Sequence, residues 1–480
     1  MIDLDVGSLV EATAATLVCG SVDARCHGCV IDSRAVREGD VFVAFPGENV
    51  DGNDYAIKAM EAGASCVVMT CEPWLVLTNA AAEHGCAVVR ADGDDATEFM
   101  LRLAAAWRAR HDWLVVAVTG SVGKTTTKDM LSCVLSSRYR THATEGNLNN
   151  LIGVPLTLMA APEDSEVVVV EMGMNHAGEI SRLVSCARPQ IALITNVGTA
   201  HIGLLGSRTA IAHAKAEIVA GPADPLPSGV EATPGLVLCS TDDYTPLIDR
   251  TYAKPAGVAV SLVACGSDAD VSAHDITLDE DGHPSFEVRL ADGTSRRASL
   301  ALTGRSVVAD ALFAISVGLR LGMTLDETCD ALASMRPSSM RQEVVDCAGG
   351  WRVIDDSYNA NPSSMAAALD VLSEMRCDGR RIAVLGAMGE LGDEAERLHD
   401  LVGAYAAAKD LDMLVVVGEG LAGRIAHAAH LMGLSEDRIV GCADADAALA
   451  TVGPVLATGD LVLVKASRAA HLETFAEGVE

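Results

Sequence analysis

Aromatic residues make up only 3% of this 480-residue chain, with four Trp, six Tyr and six Phe. Positive charge is outnumbered, at 35 Lys and Arg against 66 Asp and Glu, for a formal net charge of −31. A surface so acidic repels nucleic acid and anionic membranes, so neither is expected as a partner. No apolar run approaches the roughly 20 residues that span a bilayer, and MIDLDVGSLVE at the start is acidic, unlike a signal peptide. A cytoplasmic protein without membrane insertion, working as a monomer, is expected. The 14 cysteines show no disulfide-framework spacing, which suits a reducing compartment. Their one C-x-x-C, Cys26 and Cys29 in RCHGCV, has no second pair to complete a zinc site. It reads as two small residues before a strand.

Half of the residues are apolar and they are spread along the whole chain, enough for about three cores at roughly 150 residues per domain. Residues 1–110 carry short strands and turns and then the Ala-rich helical segment FMLRLAAAWRARH. From 111 to 334 short apolar runs (WLVVAV, EVVVVE, QIALITN, GLVLCS) alternate with helix-length segments, the pattern of buried parallel strands with helical crossovers. Between about 258 and 300 the pattern turns to period two, as in SFEVRL, suggesting an antiparallel extension. Residues 335–480 repeat the first style in WRVID, RIAVLG, DMLVVV and DLVLVK, a second doubly wound sheet. The expected fold is α/β in three domains: a small N-terminal α/β domain, a central parallel-sheet domain with a phosphate loop, and a Rossmann-like C-terminal domain.

Ligands of such sheets gather beyond the carboxyl ends of the strands. Directly after WLVVAV stands TGSVGKTTTK (119–128). Gly120 and Gly123 let backbone N–H groups turn toward phosphate oxygens, and the following helix adds its partial positive charge. Lys124 can reach the β and γ phosphates and Thr125 can hold Mg²⁺. Val118 occupies the place of the usual first glycine, so this is a short G-x-x-G-K-T-T loop. ATP is expected on Gly120, Ser121, Val122, Gly123, Lys124, Thr125 and Thr126. Glu171 ends the strand EVVVVE, a position facing the loop, and suits a Mg²⁺ ligand. Only seven lysines exist, and Lys124, Lys128, Lys215 and Lys465 lie in segments implicated here or below.

The loop resembles that of the Mur ligases and folylpolyglutamate synthetases. TEGNLNNLIGVPLTL (144–158), VVVVEMGMNHAGEI (167–180), NVGTAHIGLLGS (196–207), AKAEI (214–218), DDSYNANPSSM (355–365) and the N-terminal DSR (32–34) with GDVFVAFPGENVDGNDY (39–55) resemble one Mur ligase branch along nearly the whole chain. That branch adds D-alanyl-D-alanine to UDP-N-acetylmuramoyl-tripeptide. The resemblance implies an N-terminal UDP-sugar domain, a central ATPase-like domain, ATP with two Mg²⁺ ions, an acyl-phosphate intermediate, and a role in peptidoglycan synthesis and so in cell shape and division. It further implies Lys124, His201 and Lys215 as catalytic, with His201 a second Mg²⁺ ligand beside Thr125 and Glu171. Lys215 is a metal ligand if carbamylated; otherwise it stays an amine, pairing with Glu217 or touching the acyl phosphate. Arg341, Asp356 and Asn359 are implied for the nucleotide. Ser33, Arg34, Asn147, Asn149, Asn150, Asn361, Lys465 and Ser467 are implied for the substrates, with Arg468 beside them. Tyr358 is left out of the catalytic set, a core aromatic being its alternative reading.

The chain departs from the branch at Ser306, Val307 and Asp310, where its pattern has His, Asn and Asn, which puts adenine contacts in doubt. Asp310 can accept a bond from the adenine amino group but cannot donate one. Ala387, Ala466 and Asn53 are further departures. Two alternatives stand beside the ligase: another amide ligase of the superfamily, and a nucleotide-binding paralogue without catalysis. The absence of a DNPR-like segment argues against the first, and the retained Lys124, Glu171, His201 and Lys215 against the second.

Overall fold

The computed structural model describes residues 1–47, 50–223, 232–336 and 340–479. It is organised around three large sheets, each flanked by helices. The N-terminal sheet runs in the order Thr16–Cys19, Ala87–Arg90, Cys66–Met69, Asp40–Val43, Gly28–Val30, parallel except for the first edge strand. Cys26 and Cys29 sit on the neighbouring short strands Arg25–Cys26 and Gly28–Val30 as free thiols.

The central sheet has nine strands. Third from one edge is the strand Leu114–Thr119, between Ile191–Ile194 and Val167–Glu171 and parallel to both. All six residues of Leu114–Thr119 are buried. Leu114, Val116 and Val118 enter one core cluster and Val115 and Ala117 another, because alternate side chains leave opposite faces and helices cover both. The run therefore reads as continuously apolar. The extension past residue 258 is antiparallel only from Val271–Leu278 onward, through Pro284–Leu290 and Ser295–Ser299. Val260–Cys265, inside the stretch expected to be antiparallel, pairs in parallel on both sides. Alternation reports that one face is wet, not which way the neighbouring strand runs.

The C-terminal sheet runs Glu343–Asp346, Arg352–Asp355, Leu461–Lys465, Arg381–Gly386, Met413–Val417, Ile439–Cys442, parallel except for the Glu343–Asp346 edge. The strand ends of the central and C-terminal sheets face one another across a cavity of about 510 Å³. No described helix is long and apolar enough to cross a membrane.

Candidate active site

The middle-sheet wall of the cavity begins where Leu114–Thr119 ends. Residues 120–123 turn sharply into the helix Lys124–Ser136, capped by Gly123 at φ 83°. A Cβ there would also lie 2.4 Å from Asp310 Oδ1, so only glycine fits. Side chains of the next strand end pin the loop from below. Asn196 Oδ1 accepts from Val122 N at 3.0 Å, and Asn196 Nδ2 and Thr195 Oγ1 both donate to Val122 O, at 3.0 and 2.6 Å. Ser121 N also donates to Asn196 O, at 3.1 Å, so the N–H groups of residues 121 and 122 are spent on holding the loop, and the anion-binding groups are those at the start of the helix Lys124–Ser136. Lys124 Nζ donates to Gly120 O at 3.0 Å. Burial, with Arg341 nearby, lowers its affinity for a proton below that of an ordinary lysine.

Glu171 is buried at its strand end, and both carboxylate oxygens are engaged by neutral donors. Thr125 Oγ1 donates to Oε2 at 2.8 Å and Asn149 Nδ2 to Oε1 at 2.7 Å. A carboxylate and a hydroxyl held together beside a phosphate loop are hard oxygen donors of the kind that suits Mg²⁺. Among the described residues no cluster of three or more His, Cys, Asp or Glu could hold a metal by itself. An ion on Thr125 and Glu171 would thus need phosphate oxygens and water to complete its shell, as Mg²⁺ commonly does.

His201 lies in the same cavity, with Nδ1 2.6 Å from Glu390 Oε2 of the C-terminal unit. Lys215 is behind the wall rather than in it. It is 1% exposed, and among the described residues its ammonium has neither ion pair nor hydrogen bond. Desolvation, reinforced by the charge of Lys124, drives its proton affinity far below the usual lysine range. Pairing with Glu217 is not observed: that carboxylate accepts from Gly178 N and Ser181 N instead, at 2.7 and 2.9 Å.

The three asparagines have separate positions. Asn149 orients Glu171, and Asn150 Oδ1 accepts from Ile152 N and Gly153 N at the start of the helix Gly153–Ala160. Asn147 lines the cavity. Asp310 also lines it, taking a 2.9 Å bond from Thr127 Oγ1. Burial pushes its acid up to about 7, so near neutral pH a protonated fraction can donate as well as accept. That amends the expectation of an acceptor alone.

On the opposite wall, Arg341 stacks on Tyr358, its guanidinium carbon 4.2 Å from the ring centroid, with Arg468 further out at 5.9 Å. Tyr358 is thus a cavity residue, not a core one. The missed signal was its position just past a strand end in a chain with so few aromatics. Lys465 is 2% exposed and gives its ammonium to Asp356 Oδ2 at 2.6 Å, Asn359 O at 3.0 Å and Asp356 O at 3.3 Å. All three of its protons are taken within the domain, so it presents no free donor to a substrate here. Burial raises the Asp356 acid while Lys465 pulls it back. Asn361 caps the helix Pro362–Glu374 through Ser364 N. Ser467 lies outside the cavity lining, as do Ser33 and Arg34 of the N-terminal unit. Arg34 is exposed and forked onto Asp32, whose acid it lowers to about 2.

Set beside known proteins, residues 25–108 match the Mur ligase family catalytic domain, 118–318 the Mur ligase middle domain, and 340–468 the Mur ligase glutamate ligase domain. The UDP-N-acetylmuramoyl-tripeptide–D-alanyl-D-alanine ligase of Bacillus subtilis is 34% identical, over 93% of this chain and 92% of its own. The ligase of that name from Mycobacterium tuberculosis is 35% identical over 100% and 98%. Among solved structures, MurF from Acinetobacter baumannii superposes with a TM-score of 0.85 at 29% identity, covering 100% of this chain and 99% of that one. MurF ligase from Thermotoga maritima in complex with ADP gives 0.78 at 26% identity, covering 94% and 97%.

Proposed function

The chain belongs to the Mur ligase family, and we propose that it joins D-alanyl-D-alanine to UDP-N-acetylmuramoyl-tripeptide with cleavage of ATP, forming a peptidoglycan precursor. It is an ATP-dependent ligase of three α/β domains. One observation carries the reading: the phosphate loop, the Thr125–Glu171 pair and the Arg341–Tyr358 stack close on a single cavity. Within this reading the domains are 1–110, 111–334 and 335–480, a division supported by the sheets, whose strands do not cross those points.

The chemistry asks two anions, a carboxylate and the γ-phosphate, to meet. Residues 120–126 wrap the β and γ phosphates, with the N–H groups at the helix start as donors because those of Ser121 and Val122 are held by Asn196, and Lys124 turns from the Gly120 carbonyl to the phosphate. Thr125 and Glu171 would hold one Mg²⁺, and His201 with a carbamylated Lys215 a second. Bound there, the metal screens the approaching charges and makes phosphorus the better electrophile. A tripeptide carboxylate oxygen attacks the γ-phosphorus, and the bond to the bridging oxygen breaks to leave ADP. The dipeptide ammonium gives a proton to water, the free amine attacks the acyl carbon, and phosphate departs with the electron pair of the broken C–O bond and takes up the second nitrogen proton. Asn147 is placed for the substrate end near the loop, and Asn149 holds Glu171 in line. Arg341 and Tyr358 would flank the nucleotide from the C-terminal wall, with Asp356 and Asn359 below them. Ser33 and Arg34 would take the uridine diphosphate, Arg34 exchanging Asp32 for the incoming diphosphate.

Carbamylation of Lys215 is supported by its burial, its missing counter-ion among the described residues and its lowered proton affinity, since the neutral amine is the form that captures CO₂. A UDP-linked substrate and the absence of a membrane-crossing helix among the described residues support a cytoplasmic site of action. The deciding experiment is phosphate release from ATP with UDP-N-acetylmuramoyl-tripeptide, with and without D-alanyl-D-alanine, in lysine and diaminopimelate forms. Release that needs both substrates is expected. ATP binding without release for any pairing would leave a non-catalytic paralogue.

A further inference from the structure

Two turns from different domains meet at the edge of the cavity. The middle-domain turn carries His201, Ile202 and Gly203, and the C-terminal-domain turn (386–392) carries Met388, Glu390 and Gly392. Gly203 N donates to Glu390 O at 3.0 Å, beside the 2.6 Å approach of His201 Nδ1 to Glu390 Oε2. Here backbone lies directly on backbone. A Cβ on Gly203 would come 2.3 Å from Gly392 N, and one on Gly392 would come 2.6 Å from Gly203 Cα. Neither neighbour is a side-chain end that could swing away, so any side chain at either position drives the turns apart.

The two residues whose side chains meet are both in left-handed backbone, His201 at φ 64° and Glu390 at φ 61°. Such conformations are uncommon and costly for non-glycine residues, and they persist where the surroundings impose them. The C-terminal turn is braced from behind by His399, which is fully buried. Its Nε2 accepts from Met388 N at 2.9 Å, and its Nδ1 lies 2.6 Å from Ala395 O. Strain, bracing and side-chain-free packing thus coincide at one interdomain point.

We propose that Glu390 is a positioning residue for His201 that acts only when the C-terminal domain is docked, and that the Gly203–Gly392 contact is the latch permitting docking at that distance. The inference rests on the ligase reading, in which the His201 ring faces the metal and phosphates. His201 Nδ1 is buried at ion-pair distance from Glu390 but outside hydrogen-bond geometry; a turn of the ring onto that carboxylate would satisfy the nitrogen, fix the tautomer and the ring plane, and so present the other nitrogen. Closure of the domains and alignment of His201 then become a single event.

Gly203→Ala is the clean variant. Gly203 lies in a short helical turn without left-handed backbone, so alanine is compatible with the middle domain and conflicts only with the docked partner. With ADP, Mn²⁺ and UDP-N-acetylmuramoyl-tripeptide bound, small-angle scattering of the full-length variant is expected to give a larger radius of gyration than wild type. Its kcat should fall at least tenfold while the tripeptide KM stays within twofold. Glu390→Ala should weaken Mn²⁺ binding to the ADP complex, read by electron paramagnetic resonance. Glu390→Gln, which keeps an acceptor oxygen, should restore most of that affinity. Gly423→Ala, where a Cβ meets nothing within 4 Å, is the control and should match wild type in every readout. Wild-type radius in Gly203→Ala, or wild-type Mn²⁺ affinity and kcat in Glu390→Ala, overturns the proposal. If wild type joins no dipeptide yet Gly203→Ala still loses compaction and Glu390→Ala still loses Mn²⁺, the substrate reading falls and the latch stands.

Discussion

The middle-domain wall of the cavity presents its polar groups through backbone geometry, whereas the C-terminal wall holds its own in side-chain pairs. On the first, loop N–H groups at a helix start need no counter-charge, and Glu171 is satisfied by the neutral donors Thr125 and Asn149. On the second, Lys465 is bound to Asp356, Asn361 to Ser364, and Arg341 to the Tyr358 ring. A wall of the first kind is ready for a phosphate before its partner arrives. One of the second kind must exchange partners first, which couples ligand binding to rearrangement. The difference teaches where to look for stability and where for turnover: cutting a charge should unfold the second wall and silence the first.

The largest effect is expected from Lys465→Met. It leaves buried Asp356 without its hydrogen-bonded cation, and breaking one side of a buried pair costs about 3–5 kcal/mol, read as a lowered urea midpoint at pH 7. Lys465→Met combined with Asp356→Asn should recover most of the loss, because the orphaned charge is gone. The matching cut on the other wall, Lys124→Met, should leave the urea midpoint nearly unmoved, since Lys124 is half-buried and bonded to one carbonyl. Substrate-dependent phosphate release should instead fall about 10²–10³-fold, the usual toll of removing a donor aimed at developing charge. Should Lys124→Met unfold the protein and Lys465→Met only slow it, the contrast between the walls is reversed. Asn149→Ala sharpens the comparison from inside the first wall. It strips Glu171 Oε1 of its only side-chain donor among the described residues, and an unsatisfied buried acceptor costs about 1–3 kcal/mol. Differential scanning calorimetry without nucleotide should show that loss.

The two walls also differ in how far the amino-acid order reveals them. Gly120, Gly123, Lys124, Thr125 and Glu171 are legible because a strand end, a tight turn and a helix start demand those residue types at fixed spacing. The parallel strands are legible for the same reason, being apolar on both faces. Lys465 and Asp356 stand 109 positions apart, and nothing local says that they will consume each other's bonds. Asn361 and Tyr358 were visible as residues, but capping Pro362–Glu374 and stacking under Arg341 are properties of the folded surroundings. Lys215 shows the limit most clearly. Its place in AKAEI is plain, while the burial that governs its chemistry exists only once the helix Arg208–Ala216 has packed.

Asp310 tests whether the first wall is truly independent of side-chain charge. Its acid is raised by burial to about 7 in the fold, against roughly 3.9 in an unfolded chain. Between those values the native state holds a proton that the unfolded state has lost, so stability falls as pH rises and levels off above about 7. Asp310→Asn removes the titration while keeping a carbonyl oxygen for the Thr127 hydroxyl and, in place of the acid O–H, an amide N–H donor for a ligand. From pH 6 to pH 8 wild type should therefore lose about 1 kcal/mol relative to the asparagine variant, by the 1.36 kcal/mol carried by each pKa unit. Paired urea titrations at the two pH values read that difference. A nucleotide contact that uses the protonated acid adds a second signature: wild-type ATP affinity should weaken over the same interval, and that of Asp310→Asn should not. If the two proteins keep a constant offset in stability and share one pH profile of binding, Asp310 is ionised throughout. The phosphate-loop wall then tolerates a fixed negative charge beside Gly123, and its readiness for an anion comes from Lys124 and the helix start against that charge rather than from neutrality.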